Sequence, residues 1–263
     1  PWLVVIVSNL GAVLMYFFVK DLFYDDKRMA TIAAILYLFV PAKLFFFPLM
    51  NTVTPVVTLL CAFLLMRWLT QGLAIYAWLL GIALYGLVFF EPLPLVIGVL
   101  FAALVVRTLA VSEVSAPRLA IHTGYIVLGF AATYAVVYFT SGFEMLHAFR
   151  VIGSDAVAFN TKAGRPYDIW VRENLREFLF GMGVCQAVLV VAAVVDGFLR
   201  NDVTEPRFSR PIVVLSLSLI ATLAATDYIG INRGEVTRLW IFLACFFQIP
   251  AAYVCARFES PVA

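Results

Sequence analysis

Residues 73–118 read LAIYAWLLGIALYGLVFFEPLPLVIGVLFAALVVRTLAVSEVSAPR, and the spacing of their few breakers decides the fold. Two apolar runs, 73 to 90 without a charge and 94 to 111 with Arg107 alone near its end, meet at Glu91-Pro92-Leu93-Pro94 and lead to a loop that carries Arg118. Each run, wound as a helix, is long enough to cross a hydrocarbon core roughly 30 Å thick. Neither alternates apolar with polar residues, as a membrane barrel strand must. The pattern repeats along the chain. Apolar runs at 1 to 19, 29 to 41, 52 to 69, 119 to 140, 179 to 199, 211 to 229 and 237 to 256 complete a set of nine predicted spans. With 64% apolar and 13% charged residues and a mean hydropathy of +1.00, the chain has too little polar surface to coat a water-soluble globule. The predicted architecture is therefore all-α: one polytopic transmembrane helix bundle over 1 to 263, of about nine spans, with short interfacial amphipathic helices.

Charge sets the expected orientation. Alternate loops hold Lys20, Lys27, Arg28, Arg67, Arg107, Arg118, Arg200, Arg207, Arg210 and Arg257, whereas the opposite short loops hold only Lys43, Arg233 and Arg238. Cationic loops stay in the cytoplasm, so Pro1 is expected outside and Ala263 inside a cell (inner or plasma) membrane. The net charge of +2 is modest and its basic residues are scattered, which points away from nucleic acid. Cys61, Cys185, Cys245 and Cys255 lie inside apolar runs without ligand spacing and read as packing residues. Asp21, Asp25 and Asp26 are flanked by Lys20, Lys27 and Arg28, a neutralised turn. The chain opens at Pro1 inside an apolar run, without initiator methionine or charged leader, and reads as a fragment cut upstream.

Two segments depart from the regular pattern. Pro41, Pro48 and Pro55 crowd together, so Phe45 to Thr54 is predicted to be a broken helix bent back at one surface. Ser141 to Phe178 is too polar to span. It is predicted to hold a short amphipathic stretch (Phe143 to Val151), an irregular loop (Gly153 to Pro166) and an amphipathic helix (Tyr167 to Phe178). On that helix Val171, Leu175, Phe178 and Leu179 share one face, and Arg172, Glu173, Arg176 and Glu177 line another.

The predicted topology gathers the unusual polar residues at the outer side: Glu91, Asp227, Lys43 with Asn51 and Thr52, and the turn Asn232, Arg233, Glu235, Arg238. An ionised residue at a span's centre costs about 2.5 to 3.5 kcal/mol, so gathering at one level implies partners or a polar cavity. Glu235 and Arg238, three apart, are expected to meet on one helical face. That leaves Arg233 unpaired and able to grip a phosphate, helped by backbone amides near Gly234. A plainer reading makes the same turn an interfacial anchor, with Trp240 in the aromatic belt and the arginines at headgroups. His122 and His147 have no nucleophile at a motif-like spacing and read as structural. No cofactor is identifiable; a divalent metal is compatible with the site, but nothing in the residues supports one.

The basic turn Lys20 to Arg28, the span ending Leu38-Phe39-Val40-Pro41 and the polar kink after it begin a pattern. The run Leu79 to Leu84 leading to Phe90-Glu91-Pro92 continues it. Together they resemble the middle of GT-C type glycosyltransferases, multi-span enzymes that use polyprenyl- or dolichyl-phosphate sugars, with mannosyltransferases among them. Arg165-Pro166-Tyr167-Asp168-Ile169-Trp170 to Asn174, and Gly234 to Trp240, look like stretches of bacterial members of that superfamily. The resemblance implies a transferase open to the outer face, with membrane lipid and a lipid-linked sugar donor as its partners. It implies a catalytic acid in an outer loop upstream of Pro1, so the base itself is expected outside this sequence. Asn51 and Thr52 stand where the family carries its second acid. Lys43, Glu91, Arg233, Glu235 and Arg238 are then expected at the substrate and lipid phosphate. Arg165, Tyr167, Trp170 and Asn174 are expected on a lid or acceptor platform. A transporter or flippase and a non-catalytic membrane scaffold remain as other readings of the same spans.

Overall fold

The computed structural model describes residues 2–111, 115–200 and 205–258, and every regular element among them is helical. The first half of the chain folds as α1 (Trp2–Leu22), α2 (Lys27–Leu38), α3 (Pro41–Phe45), α4 (Thr54–Gln71), α5 (Ala74–Phe90), α6 (Gly98–Ala110) and α7 (Ala116–Ser141). The second half folds as α8 (Met145–Lys162), α9 (Tyr167–Met182), α10 (Val184–Leu199), α11 (Pro211–Ile229), α12 (Val236–Leu239), α13 (Ile241–Phe246) and α14 (Gln248–Phe258). Seven segments are long and apolar enough to cross a membrane. The pair α9–α10 adds an eighth with a bend of 95°, and α5, 17 residues long, is a shorter apolar helix. The protein is a multi-pass membrane protein, and each expected span coincides with one of these apolar segments.

The α13–α14 segment forms the centre of the bundle. Every residue from Trp240 to Val254 is buried, the polar Gln248 included; its amide donates to the carbonyls of Met182 (3.1 Å) and Ala244 (3.0 Å). Around this centre α4, α2 and α10 pack on one side and α11 with α6 on another, while α1 lies against α2 and α4. At the periphery α7 buries only His122 and Gly129, and it is held chiefly against α5. Glycines set that contact. A Cβ on Gly81 would stand 2.2 Å from the Ile126 carbonyl oxygen, and one on Gly129 would stand 2.6 Å from that of Trp78. The backbones touch because neither position carries a side chain, the small-residue packing common between membrane helices. His122 is structural, as expected: its Nδ1 accepts from the Trp68 indole at 2.6 Å.

At the end of the bundle where α1, α10 and α14 finish, charge is paired across elements. Asp21 meets Arg67 of α4 at 3.0 Å, Asp25 meets Lys20 at 2.9 Å, and Asp26 caps α2 through the Met29 amide at 2.9 Å. Arg257 binds Asp196 at 2.5 Å, and Arg107 bonds to the Tyr24 hydroxyl and to Glu205 at 3.4 Å. The acidic knot is thus neutralised in part by a partner distant in sequence.

The broken helix forms as predicted: α3 ends at Phe45, a cis Phe47–Pro48 peptide and a tight turn at Met50–Thr52 follow, and α4 begins at Thr54. Two expectations are corrected. Residues 153–162 are not loop, because α8 runs unbroken through Gly153 to Lys162. One glycine costs a helix only about 1 kcal/mol, and its Ala- and Val-containing neighbours sustain the turn. The span expected from 179 starts instead at Val184, since the amphipathic helix α9 continues to Met182 and the chain turns at Gly183. Gly183 has φ +106, a conformation that only glycine adopts cheaply, so the corner falls there.

Candidate functional site

Where α5 and α11 end, α9 lies across the mouth of the bundle and is fastened to the turn between α11 and α12. Two glycines permit this. Gly230 (φ +60) ends α11, and Gly234 (φ +74) precedes α12. Tyr167 covers the first and Trp170 the second, so a Cβ would lie 2.5 Å from the Tyr167 ring or 2.8 Å from the Trp170 ring. Both positions therefore need glycine for backbone and for space. The Tyr167 hydroxyl then donates to the Tyr228 carbonyl at 2.8 Å.

Asn174, 1% exposed, is the central fastener. Its amide nitrogen donates to Asp227 Oδ1 and to the Asn232 carbonyl, both at 3.1 Å, and its oxygen accepts from the Gly234 amide at 3.3 Å. Those bonds hold the turn and offset the cost of burying Asp227. Glu177, one turn further along α9, accepts from the Val236 amide at 3.3 Å.

Arg165 and Arg233 are linked reciprocally. The guanidinium of Arg165 donates to the Arg233 carbonyl, and that of Arg233 donates to the Arg165 carbonyl at 2.8 Å and to Gly230 at 3.0 Å. Each also stacks on aromatic rings: Arg165 4.9 Å from the Phe159 centroid and 5.6 Å from that of Trp170, Arg233 5.3 Å from Tyr167. Arg233 is thus not the unengaged cation expected from spacing, because backbone carbonyls take two of its donors. Carbonyls do not cancel its charge, and among the described residues no carboxylate forms an ion pair with either arginine. Glu235 and Arg238 do pair, as expected from their spacing.

Three hollows adjoin at this mouth. An arginine-bearing chamber of about 230 Å³ is lined by Arg165 and Arg233 and by the carboxylates Asp155 and Glu235, with Asn160 also on its wall. Asn160 donates to the Ile231 carbonyl at 2.8 Å and so ties α8 to the turn. An apolar chamber of about 400 Å³ lies between α8 and the α5–α6 junction, lined by Leu93, Val96, Phe149 and Ile152 with Glu91 at its edge. The two share Ala156, Ile231, Asn232 and Leu239, so they are neighbouring parts of one depression. A third hollow of about 520 Å³ lies on the other side of Glu235.

Glu91 closes α5 and accepts from the Thr54 hydroxyl at 2.6 Å. Burial pushes its carboxyl above the usual range, while the Thr54 bond and the charge of Arg238 pull the other way. Among the described residues no group of three His, Cys, Asp or Glu side chains could hold a metal ion.

The structure brings together Arg165, Tyr167, Trp170, Asn174, Arg233, Glu235 and Arg238, with Glu91 at the rim, and leaves Lys43 apart. Lys43 is 1% exposed, donates to Asn9 at 3.1 Å and sits 4.3 Å from the Tyr37 centroid, so it is sealed inside the bundle and cannot meet a lipid phosphate at the mouth. Trp240 is likewise no belt anchor, being 1% exposed and packed against Phe178. Asn174 is buried and acts as a fastener rather than as an exposed platform group, whereas Tyr167 fastens the turn through its hydroxyl and stays exposed. Sequence reading missed Asn160, Glu177 and Thr54, none of which carries a local motif. Comparison of the chain with family models, curated proteins and solved structures gives no match.

Proposed function

We propose that this chain is the membrane-embedded body of a glycosyltransferase that takes its sugar from a lipid-linked phosphate, in the manner of the GT-C enzymes it resembles. One observation carries the reading: an apolar chamber adjoins one that holds two arginines, with Ala156, Ile231, Asn232 and Leu239 common to both. An isoprenoid phosphate has the same two parts. Its hydrocarbon suits the walls of Phe149, Ile152 and Val96, and its phosphate suits the guanidinia of Arg165 and Arg233. In the transfer an acceptor oxygen bonds to the anomeric carbon, and the bond from that carbon to the phosphate oxygen breaks. The electron pair leaves on the lipid phosphate, where the two arginines stabilise the added charge. The acceptor proton goes to a carboxylate base, the group that takes it in the enzymes this chain resembles. The excess of Lys and Arg at the opposite end supports an orientation in the cell membrane with the site facing outward.

The test is binding of a polyprenyl phosphate and of the matching polyprenol to the full chain in lipid nanodiscs. The phosphate form should bind more tightly, and Arg165→Gln with Arg233→Gln should erase the difference. Ile152→Trp, which fills the apolar chamber, should weaken both. Equal affinity for the two lipids, or indifference to the arginine changes, overturns the proposal. A transporter has one observation in its favour, the ammonium of Lys43 enclosed in the bundle with Asn9 as acceptor. Lys43→Met should leave polyprenyl phosphate binding unchanged if the transferase reading holds, and should alter it if Lys43 lies on the lipid's path.

A further inference from the structure

We infer that the third hollow is the acceptor site and that it takes an uncharged polyhydroxyl compound, a carbohydrate in chemical class. This rests on the donor reading above, since an acceptor site needs a donor to face. The hollow opens between Phe46, which follows α3, Glu177 and Phe180 of α9, and Glu235, Thr237 and Arg238 around α12. Glu235 lines this hollow and the arginine-bearing chamber alike, so it forms the partition between them.

Each lining group suits a polyol. Hydroxyls donate to carboxylates and accept from a guanidinium, and the C–H face of a sugar ring lies well on an aromatic ring. Glu177 commits Oε2 to the Val236 amide, and Glu235 commits Oε2 to Arg238. The other oxygen of each has no hydrogen-bond partner among the described residues, and both carboxylates line the hollow. Phe180 is 70% exposed, so most of its surface is open to a ligand. A few polar groups converging beside aromatic walls is the usual build of a small-molecule site.

Charge separates this hollow from its neighbour. Two carboxylates and one guanidinium line it, a carboxylate in excess, whereas its neighbour balances Arg165 and Arg233 against Asp155 and Glu235, with no ion pair to either arginine among the described residues. A phosphorylated or carboxylated acceptor is repelled here, while an uncharged polyol pays no such penalty. The excess carboxylate disfavours a lipid phosphate in the acceptor place.

The experiment is saturation-transfer NMR on the full chain in lipid nanodiscs, with an uncharged methyl hexopyranoside and, separately, glucose 6-phosphate as probes. Phe180→Ala and Glu177→Gln are the variants, with thermal unfolding followed in parallel and polyprenyl phosphate binding measured on the same samples. The methyl glycoside should show transfer that falls about fivefold or more in a variant that remains folded, and glucose 6-phosphate should show none. Absence of glycoside transfer, its persistence in folded variants, or equal transfer to the anionic probe overturns the inference. If both variants unfold, Thr237→Val, which removes only a hydroxyl from the wall, supplies the same comparison. Glycoside binding without polyprenyl phosphate binding would sink the donor reading and leave a carbohydrate site standing. The converse would sink the acceptor site alone.

Discussion

Glu91 is the residue at which burial and function are most open to measurement. Its carboxyl lies above the ordinary range because the α5–α6 junction excludes water from it, and the Thr54 hydroxyl and Arg238 only partly offset that. For an acid with a raised folded-state pKa, the folded chain holds more protons than the unfolded chain between the ordinary carboxylate range and the raised one. Stability therefore falls as pH rises through that window. Glu91→Gln should flatten this dependence and raise the melting temperature at neutral pH, since an amide accepts from Thr54 without a buried charge. Thr54→Val should steepen the dependence. Melting curves in detergent from pH 4 to pH 8, on the order of the acidic window described, decide the matter; a wild-type curve that rises across that window would refute the assignment. The same residue shows the limit of spacing rules. Glu91-Pro92 marks a span end in the sequence, but Thr54 lies 37 residues away in sequence, and no periodicity couples the two.

At the scale of elements, α9 and the α11–α12 turn act together because two glycines let aromatic rings lie on the backbone. Gly230→Ala and Gly234→Ala each combine a positive φ with a sub-van-der-Waals approach to a ring, so each should destabilise the mouth. The backbone term alone is about 1 to 2 kcal/mol per position. The expected readouts are a changed Trp170 fluorescence in Gly234→Ala, with the other tryptophans replaced by Phe, and earlier amide exchange across α9. Unchanged exchange in both variants would show that α9 is held by other means. The amphipathic character of α9 was legible from its heptad-like spacing, and so was the broken helix from three closely spaced prolines. The continuity of α8 was not, because a single glycine in a moderately polar stretch reads as a breaker until the packing against the turn, through Asn160 and Ile231, is seen. Arg233 shows the same gap in the site itself. Its spacing from Glu235 and Arg238 leaves it without a carboxylate, as read, but only the approach of α9 supplies the carbonyl of Arg165 that it binds.

For the whole molecule, the expected arrangement is that the mouth and the arginine-rich end lie on opposite faces of the membrane. In a background with Cys61, Cys185, Cys245 and Cys255 replaced by Ala or Ser, Gly164→Cys should react with an impermeant maleimide on intact cells. Ser209→Cys should react only after permeabilisation. Labelling of both from one side would break the topology, and the outward-facing transferase would fall with it. Amino-acid order alone determined that the protein is a helical membrane bundle and where its spans begin and end within a few residues, because lipid demands apolar runs of a set length and satisfied backbones whatever they pack against. Tertiary structure alone decided which polar side chains meet. It sealed Lys43 against Asn9, joined Asn174 to Asp227, and set Arg165 and Arg233 beside an apolar chamber. The physical reason is that such meetings depend on helix crossings and on corners such as Gly183, whose 95° turn lays α9 across the mouth, and these arise from contacts between segments far apart in the chain.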